Sequence, residues 1–412
     1  MPNHEDEMVP PSSESEQTPL TAAERISKAL RRRKKRNRVR RVAGKCLGIA
    51  LVATLLILAV VLIYRNWDFF QPDSFRESVT VQSNSKSLMK IGGAIDIVTG
   101  NTAQYLPFAS GLAVITTTNV RYATETGEEG FLADVTLTRP AAVTAEEGLV
   151  VYDRGGTTVI SASKTGLLAE TEAVGNCISA AINDSGSIAV VSECEGYLSA
   201  VAVYDRQLNR RYLWKTPEYF AANALVSENG KWLAVSVVTT ESYRLISKVL
   251  IFDLRKEGVA AEVNLGEVPV VGLLENDAGL LAVTETDAVT LDWGGTVRTS
   301  VSFQGDRVCG LETDGKTAFV LLTARNDATV RYRLVHLDAS GARNAVISLT
   351  CDIQAISAGN GMLAMLSGSQ IRMYDGDLSI QKYISPEPGV TNIVTMRDNK
   401  LVMITAQELF VA

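Results

Sequence analysis

Histidine is nearly missing from this chain. Only His4 and His336 occur, far apart in sequence, which excludes a His-rich metal site and leaves little for Ser-His or Cys-His catalysis. Proline is scarce too: 11 in 412 residues is too few for a long disordered or Pro-rich protein. The 5 cysteines include no C-x-x-C pair, so a zinc site or a thioredoxin-type dithiol lacks its ligands. No D-x-D-x-D-G run occurs. YDGD (374–377) comes nearest, is too short for a calcium loop and reads as a turn. No cofactor is expected.

Charge is absent from residues 46–64, CLGIALVATLLILAVVLIY, which also lack Pro, Asn and Gln. At about 1.5 Å per residue, such a helix spans roughly 28 Å, close to a hydrocarbon core of about 30 Å. The run is too long for a signal-peptide h-region, and no A-x-A cleavage pattern follows it. It reads as an uncleaved single-pass signal anchor. Residues 1–45 hold 12 Lys+Arg against 6 Asp+Glu, whereas residues 65–412 carry 28 against 40. The positive-inside rule then places the N-terminus in the cytoplasm and the C-terminal body outside, at the cell membrane.

The basic run Arg31, Arg32, Arg33, Lys34, Lys35 and Arg36 is read as a topology determinant with some attraction to anionic lipid. Nucleic-acid binding is not expected, because no aromatic residue interleaves the run to stack on bases. Five segments follow: a disordered cytoplasmic tail (1–24), a basic juxtamembrane segment (25–45), the span (46–64), a stalk (65–87) and a β-rich body (88–412).

In that body one unit recurs. A turn ending in Gly or Asn precedes a short apolar run: SGLAVIT (110–116), EGLVVYD (147–153), SGSIAVVS (185–192), NGKWLAVSVV (229–238), AGLLAVT (278–284), DGKTAFVLL (314–322), NGMLAML (360–366) and DNKLVMIT (398–405). The spacing is that of four-stranded propeller blades. A second run ending in Asp follows most copies, as in AVAVYD (200–205), KVLIFD (248–253) and QIRMYD (370–375). Its carboxylate suits a C–D turn, where it accepts backbone N–H groups just ahead. The eighth copy supplies strands A, B and C before the chain stops. A strand from about residues 86–95 would complete it. The expectation is an all-β, eight-bladed β-propeller closed by its N-terminal strand, with seven blades as the runner-up.

The stretches LVVYDRGGTTVISASK (149–164), LVSENGKWLAVS (225–236) and SKVLIFDL (247–254) resemble an uncharacterised family of membrane-anchored β-propellers from clostridia-type Gram-positive bacteria. The resemblance covers roughly residues 65–412, and YDRGG is its most specific part. It implies a fold and a topology, and brings no activity or catalytic residues.

Cys177 and Cys194 flank the NDSG hairpin (183–186) and are candidates for a disulfide; the alternative is two reduced, buried thiols. His336, in YRLVHLD, is read as a structural strand residue. Trp67, Trp214, Trp232 and Trp293 lack the regular spacing of the docking motifs in quinone-dependent dehydrogenases. No enzyme is expected. Binding is expected on the face that carries the D–A and B–C connections, since variable loops on a rigid scaffold carry recognition. The segments 192–200, 238–248 and 322–332 read as long B–C loops. Tyr219, Phe220, Tyr243, Arg244 and Arg325 are the candidate contacts. For Tyr219 and Phe220 the alternative is packing of strand A. The functional expectation is a noncatalytic scaffold or adaptor for an envelope protein or wall polymer. A ligand-binding sensor signalling through the span is the alternative.

Overall fold

A computed structural model of the protein describes residues 89–90 and 103–412, apart from residues 147, 398, 399 and 407. The tail, the basic run Arg31–Arg36, the apolar span 46–64 and the stalk lie outside the described residues. Among the described residues, no helix is long and apolar enough to cross a membrane.

The repeated apolar runs are strands, and each is the second strand of a four-stranded antiparallel sheet. Gly111–Ile115, Leu149–Asp153, Gly279–Thr284 and Leu401–Ile404 are buried at every position. They are apolar on both faces because a neighbouring sheet covers each face. The fourth strands, such as Glu129–Asp134 and Arg343–Leu349, alternate between exposed and half-buried positions, as an outer edge requires.

Eight sheets form the eight blades of a propeller. Strands A to D of each blade run outward from the centre of the ring. Blades one to seven span residues 104–134, 140–172, 177–216, 220–266, 270–302, 307–349 and 355–384. Blade eight takes strands A, B and C from Asn392–Thr395, Leu401–Ile404 and Leu409–Val411. Its strand D is Met89–Lys90, paired antiparallel with Val411 and Phe410. The N-terminal strand thus closes the ring, and the blade count is eight.

Packing follows the same count. Among the described residues there are eight buried apolar clusters, one at each seam between neighbouring blades. The closing seam sets Leu112 and Val114 of blade one against Val402, Ile404, Leu409 and Val411 of blade eight.

The C–D turns use the aspartates as their position suggests. Asp205, Asp292, Asp338 and Asp375 each accept the N–H groups two and four residues ahead, at 2.8–3.1 Å. Leu208 and Leu378 in two of these turns have a φ of +57°. Their side chains are buried in the adjoining seams, which offsets the cost of the left-handed backbone.

One irregularity divides the ring. Strand A carries a β-bulge in blades three, four, five and six, at Ile178, Ala222, Val271 and Cys309. Strand A is in continuous register in blades one, two, seven and eight. Three residues past each bulge stand Ala181, Leu225, Leu274 and, in blade six, Glu312. Leu225 and Leu274 pack into the seams with the next blade. Glu312 instead accepts the N–H of Ala358, on strand A of blade seven, at 3.3 Å. Burial pushes its carboxyl up to about 7.

Candidate binding face

D–A connections and B–C hairpins lie at the same end of every blade, so they share one face of the ring. On that face, blade four departs from its neighbours. The segment 238–248, expected as a loop, is regular sheet. Strands Trp232–Glu241 and Arg244–Asp253 keep one unbroken register from Trp232↔Asp253 to Glu241↔Arg244. Strand A pairs with this hairpin only from Val238, and strand D only as far as Ser247. The last three pairs, Thr239↔Ile246, Thr240↔Leu245 and Glu241↔Arg244, therefore stand clear of the blade as a two-stranded ribbon.

The ribbon turns on Ser242 and Tyr243, with φ of +48° and +67°. A two-residue hairpin with both central residues left-handed prefers Asn-Gly, and a bulky residue there costs roughly 1–2 kcal/mol. Unlike Leu208 and Leu378, Tyr243 recovers nothing by burial: its exposure is 103%. The turn residue is thus worse for folding than a glycine would be.

The two faces of the ribbon differ. Register and the two-residue period put Phe220, Val238, Thr240, Leu245 and Ser247 on one side. None is charged, and Phe220 and Leu245 are 57% and 64% exposed. The opposite side is braced by charge. The buried Lys248 ammonium holds the carboxylates of Glu241 and Glu262, each at 2.6 Å, and lies 5.9 Å from the centre of the Tyr219 ring. The bonds to Glu241 and then Glu262 raise the lysine above its ordinary range. Tyr219 O–H donates to Glu262 Oε2 at 3.4 Å, and its ring packs against the seam of blades three and four. Arg244 pairs with Glu267 at 2.6 Å, and Thr239 Oγ1 donates to the Glu218 carbonyl at 3.2 Å.

The structure therefore brings Tyr219, Phe220, Tyr243 and Arg244 together on blade four, with Tyr219 in the brace. Arg325 stands apart, on blade six, with blade five between. Its segment is a true loop. Buried Asp306 accepts the Arg325 N–H at 3.0 Å and also pairs with the Arg333 guanidinium, while the Arg325 side chain is exposed.

The YDRGG stretch is a staple between blades. Asp153 Oδ1 accepts the N–H groups of Thr138 and Arg139 at 3.0 and 2.6 Å, which ties in the connection from blade one. Gly155 N–H donates to the Cys177 carbonyl at 2.8 Å, and Cys177 N–H donates to the Gly156 carbonyl at 2.7 Å. These two bonds stitch blade two to strand A of blade three. Gly155 has a φ of +81°, which favours glycine, and Gly156 lies close against the Asp153 carboxyl. A Cβ on Gly155 would sit 2.4 Å from Arg139 Nη2, and one on Gly156 would sit 2.5 Å from Asp153 Oδ2.

Cys177 and Cys194 are both free and buried. The bulge at Ile178 pairs Cys177 with Ser192, and Cys194 pairs across the hairpin tip with Tyr197, so the two are not cross-strand partners. Burial, then the Asp153 carboxylate, pushes the Cys177 thiol up to about 11, which leaves it unreactive at neutral pH. His336 lies in the seam of blades six and seven, stacked on Phe319 with ring centres 4.5 Å apart. Burial lowers its pKa.

The profile of a family of unknown function, DUF5711, matches residues 83–411. The chain belongs to DUF5711. No curated protein is similar in sequence. Among solved structures, BamB from Moraxella catarrhalis is similar at 12% identity and a TM-score of 0.50, covering 75% of this chain and 95% of that one. At that identity the likeness is one of fold. The Cps50 (Swd1) β-propeller domain of Myceliophteria thermophila matches at 9% identity, 76% and 98% coverage and TM-score 0.43. Streptogramin B lyase matches at 11% identity, 79% and 96% coverage and TM-score 0.40. Both are too distant to inform the DUF5711 chain further.

Among the described residues, no three His, Cys, Asp or Glu side chains gather where they could hold a metal ion. What the DUF5711 propeller offers on this face is a stiff ribbon with an apolar side and an exposed aromatic tip. Leu245 was not singled out by sequence. No alternation marks it: Leu245 and Ile246 are adjacent apolar residues just after the Ser242–Tyr243 turn.

Proposed function

We propose that this protein is a noncatalytic scaffold or adaptor, anchored in the cell membrane, whose extracytoplasmic propeller binds a protein partner at the envelope. The observation that carries the reading is Tyr243. A fully exposed tyrosine holds a backbone conformation that glycine would hold at less cost, on a ribbon braced by Lys248, Glu241 and Glu262. Strained residues that folding does not require mark functional positions. An aromatic tip beside exposed Phe220 and Leu245 has the chemistry of an interface anchor. The anchoring part rests on the apolar run 46–64 and the basic segment before it, whose cationic side chains face the cytoplasm and contact anionic lipid.

The test is in-cell crosslinking of the tagged full-length protein followed by mass spectrometry, alongside the double variant Tyr243→Ala, Phe220→Ala. A reproducible envelope protein, lost in the double variant, is expected. A partner set identical in both samples refutes the role of this face. Protease protection of an N-terminal tag, with cleavage of the propeller from outside intact cells, is the expected topology. The reverse pattern refutes the orientation.

A further inference from the structure

A second feature of the same face lies two blades away and does not depend on the ribbon. The paired register of strands A and B of blade two ends at Pro140↔Asp153. One step beyond, Arg154 N–H donates to the Arg139 carbonyl at 2.9 Å, so the two arginines stand directly opposite each other. Cross-strand neighbours lie on the order of 5 Å apart at Cβ, and like charges in that relation repel. Both side chains are exposed, and neither guanidinium has an acidic partner among the described residues. The nearby carboxylate is already committed: Asp153 Oδ1 accepts the N–H groups of Thr138 and Arg139.

One head group lies against the turn. Arg139 Nη2 is 2.4 Å from where a Cβ of residue 155 would be, so the guanidinium lies across the turn that follows Arg154. That turn is held by the two backbone bonds to Cys177. Two planar donors therefore stand on adjoining rigid backbone, and neither is in an ion pair among the described residues. Each presents five N–H groups and no acceptor. The complement is an anion with several oxygens that can accept from both forks at once.

We propose that Arg139 and Arg154 form an oxyanion site that takes a phosphate group between their guanidiniums. Phosphate is favoured over carboxylate because its oxygens are arranged tetrahedrally and can face two forks. The group reaches the site as free phosphate or as a phosphodiester of a polymer.

The test is titration calorimetry on the full-length protein in detergent at low ionic strength, with inorganic phosphate, dimethyl phosphate and acetate as probes. Phosphate is expected to bind, and Arg139→Gln or Arg154→Gln to weaken it about tenfold or more. Lys231→Gln, on the opposite face, is expected to change nothing. Dimethyl phosphate binding within a few-fold of phosphate points to a polymer phosphodiester, and strong preference for inorganic phosphate points to the free ion. No phosphate binding, equal loss in Lys231→Gln, or acetate binding as tightly as phosphate overturns the proposal. Circular dichroism of each variant separates loss of the site from loss of the fold.

Discussion

Glu312 occupies a seam position at which blades four and five place leucine, and among the described residues its one hydrogen bond is from the Ala358 N–H. Its ordinary pKa of 4.5 is lifted to about 7. At about 1.36 kcal/mol per pH unit, holding the ionised form in the seam costs about 3 kcal/mol. Below pH 4.5 the group is neutral in both the folded and the unfolded chain and costs nothing. Between 4.5 and about 7 the unfolded chain releases the proton while the folded chain keeps it, so stability falls as pH rises. Above about 7 the full cost applies. Glu312→Gln keeps an oxygen for the Ala358 N–H and removes the ionisation. It buries an amide in exchange, at a cost of about 1 kcal/mol. The variant is therefore expected to be about 2 kcal/mol more stable than wild type at pH 8, and no more stable at pH 4.5. Urea unfolding of the full-length protein in detergent, followed by tryptophan fluorescence at both pH values, measures this. Using the difference between variant and wild type cancels every other titrating group. An equal shift at both pH values, or destabilisation at pH 8, would refute the argument.

Three further outcomes follow from the same structure. Tyr243→Gly relieves the left-handed turn and is expected to stabilise the protein by about 1 kcal/mol while abolishing partner crosslinking, so stability and capture move in opposite directions. His336, whose folded pKa is held below 6.5, makes stability fall as pH drops through 6.5; His336→Asn should flatten that limb in a melting series from pH 7 to pH 5. Asp153→Ala strands the Thr138 and Arg139 N–H groups and should cost about 2–4 kcal/mol in urea unfolding, with no gain expected from Asp153→Asn beyond partial rescue.

Most of the architecture was legible because the propeller repeats one physical problem. Every second strand is covered on both faces, so each must be an apolar run, and each turn that follows strand C must cap its own amides. The first demand recurs eight times and the second in the blades whose strands C and D are consecutive, and together they leave a readable period. The incomplete eighth copy pointed to Met89–Lys90, because an unclosed ring leaves a bare strand edge. The binding face was less legible. A Ser-Tyr turn gives no glycine or asparagine signal, so 238–248 looked like a loop, and Leu245 was missed with it. Arg139 and Arg154 are 15 residues apart and become neighbours only once Pro140 is set against Asp153. Cys177 and Cys194 are offset in register: continued without the bulge, the pairing Ser179↔Val191 would set Cys177 against Glu193, and flanking a turn does not fix register.

Closure of the ring by its first strand also sets a clock on biogenesis. Met89 pairs with Val411, near the opposite end of the chain. At ribosomal speeds of about 5–20 residues per second, the first half of that pair waits roughly 15–60 s for the second to be made. Seven blades can be complete before the eighth exists, and throughout that interval the seam that will join blade eight to blade one has apolar Leu112 and Val114 without their partners. The nascent protein is then an open arc with a sticky end. Its most vulnerable stretch for aggregation or engagement by a chaperone runs until residues 401–411 are made, and loss of strand Leu409–Val411 should be disproportionately damaging.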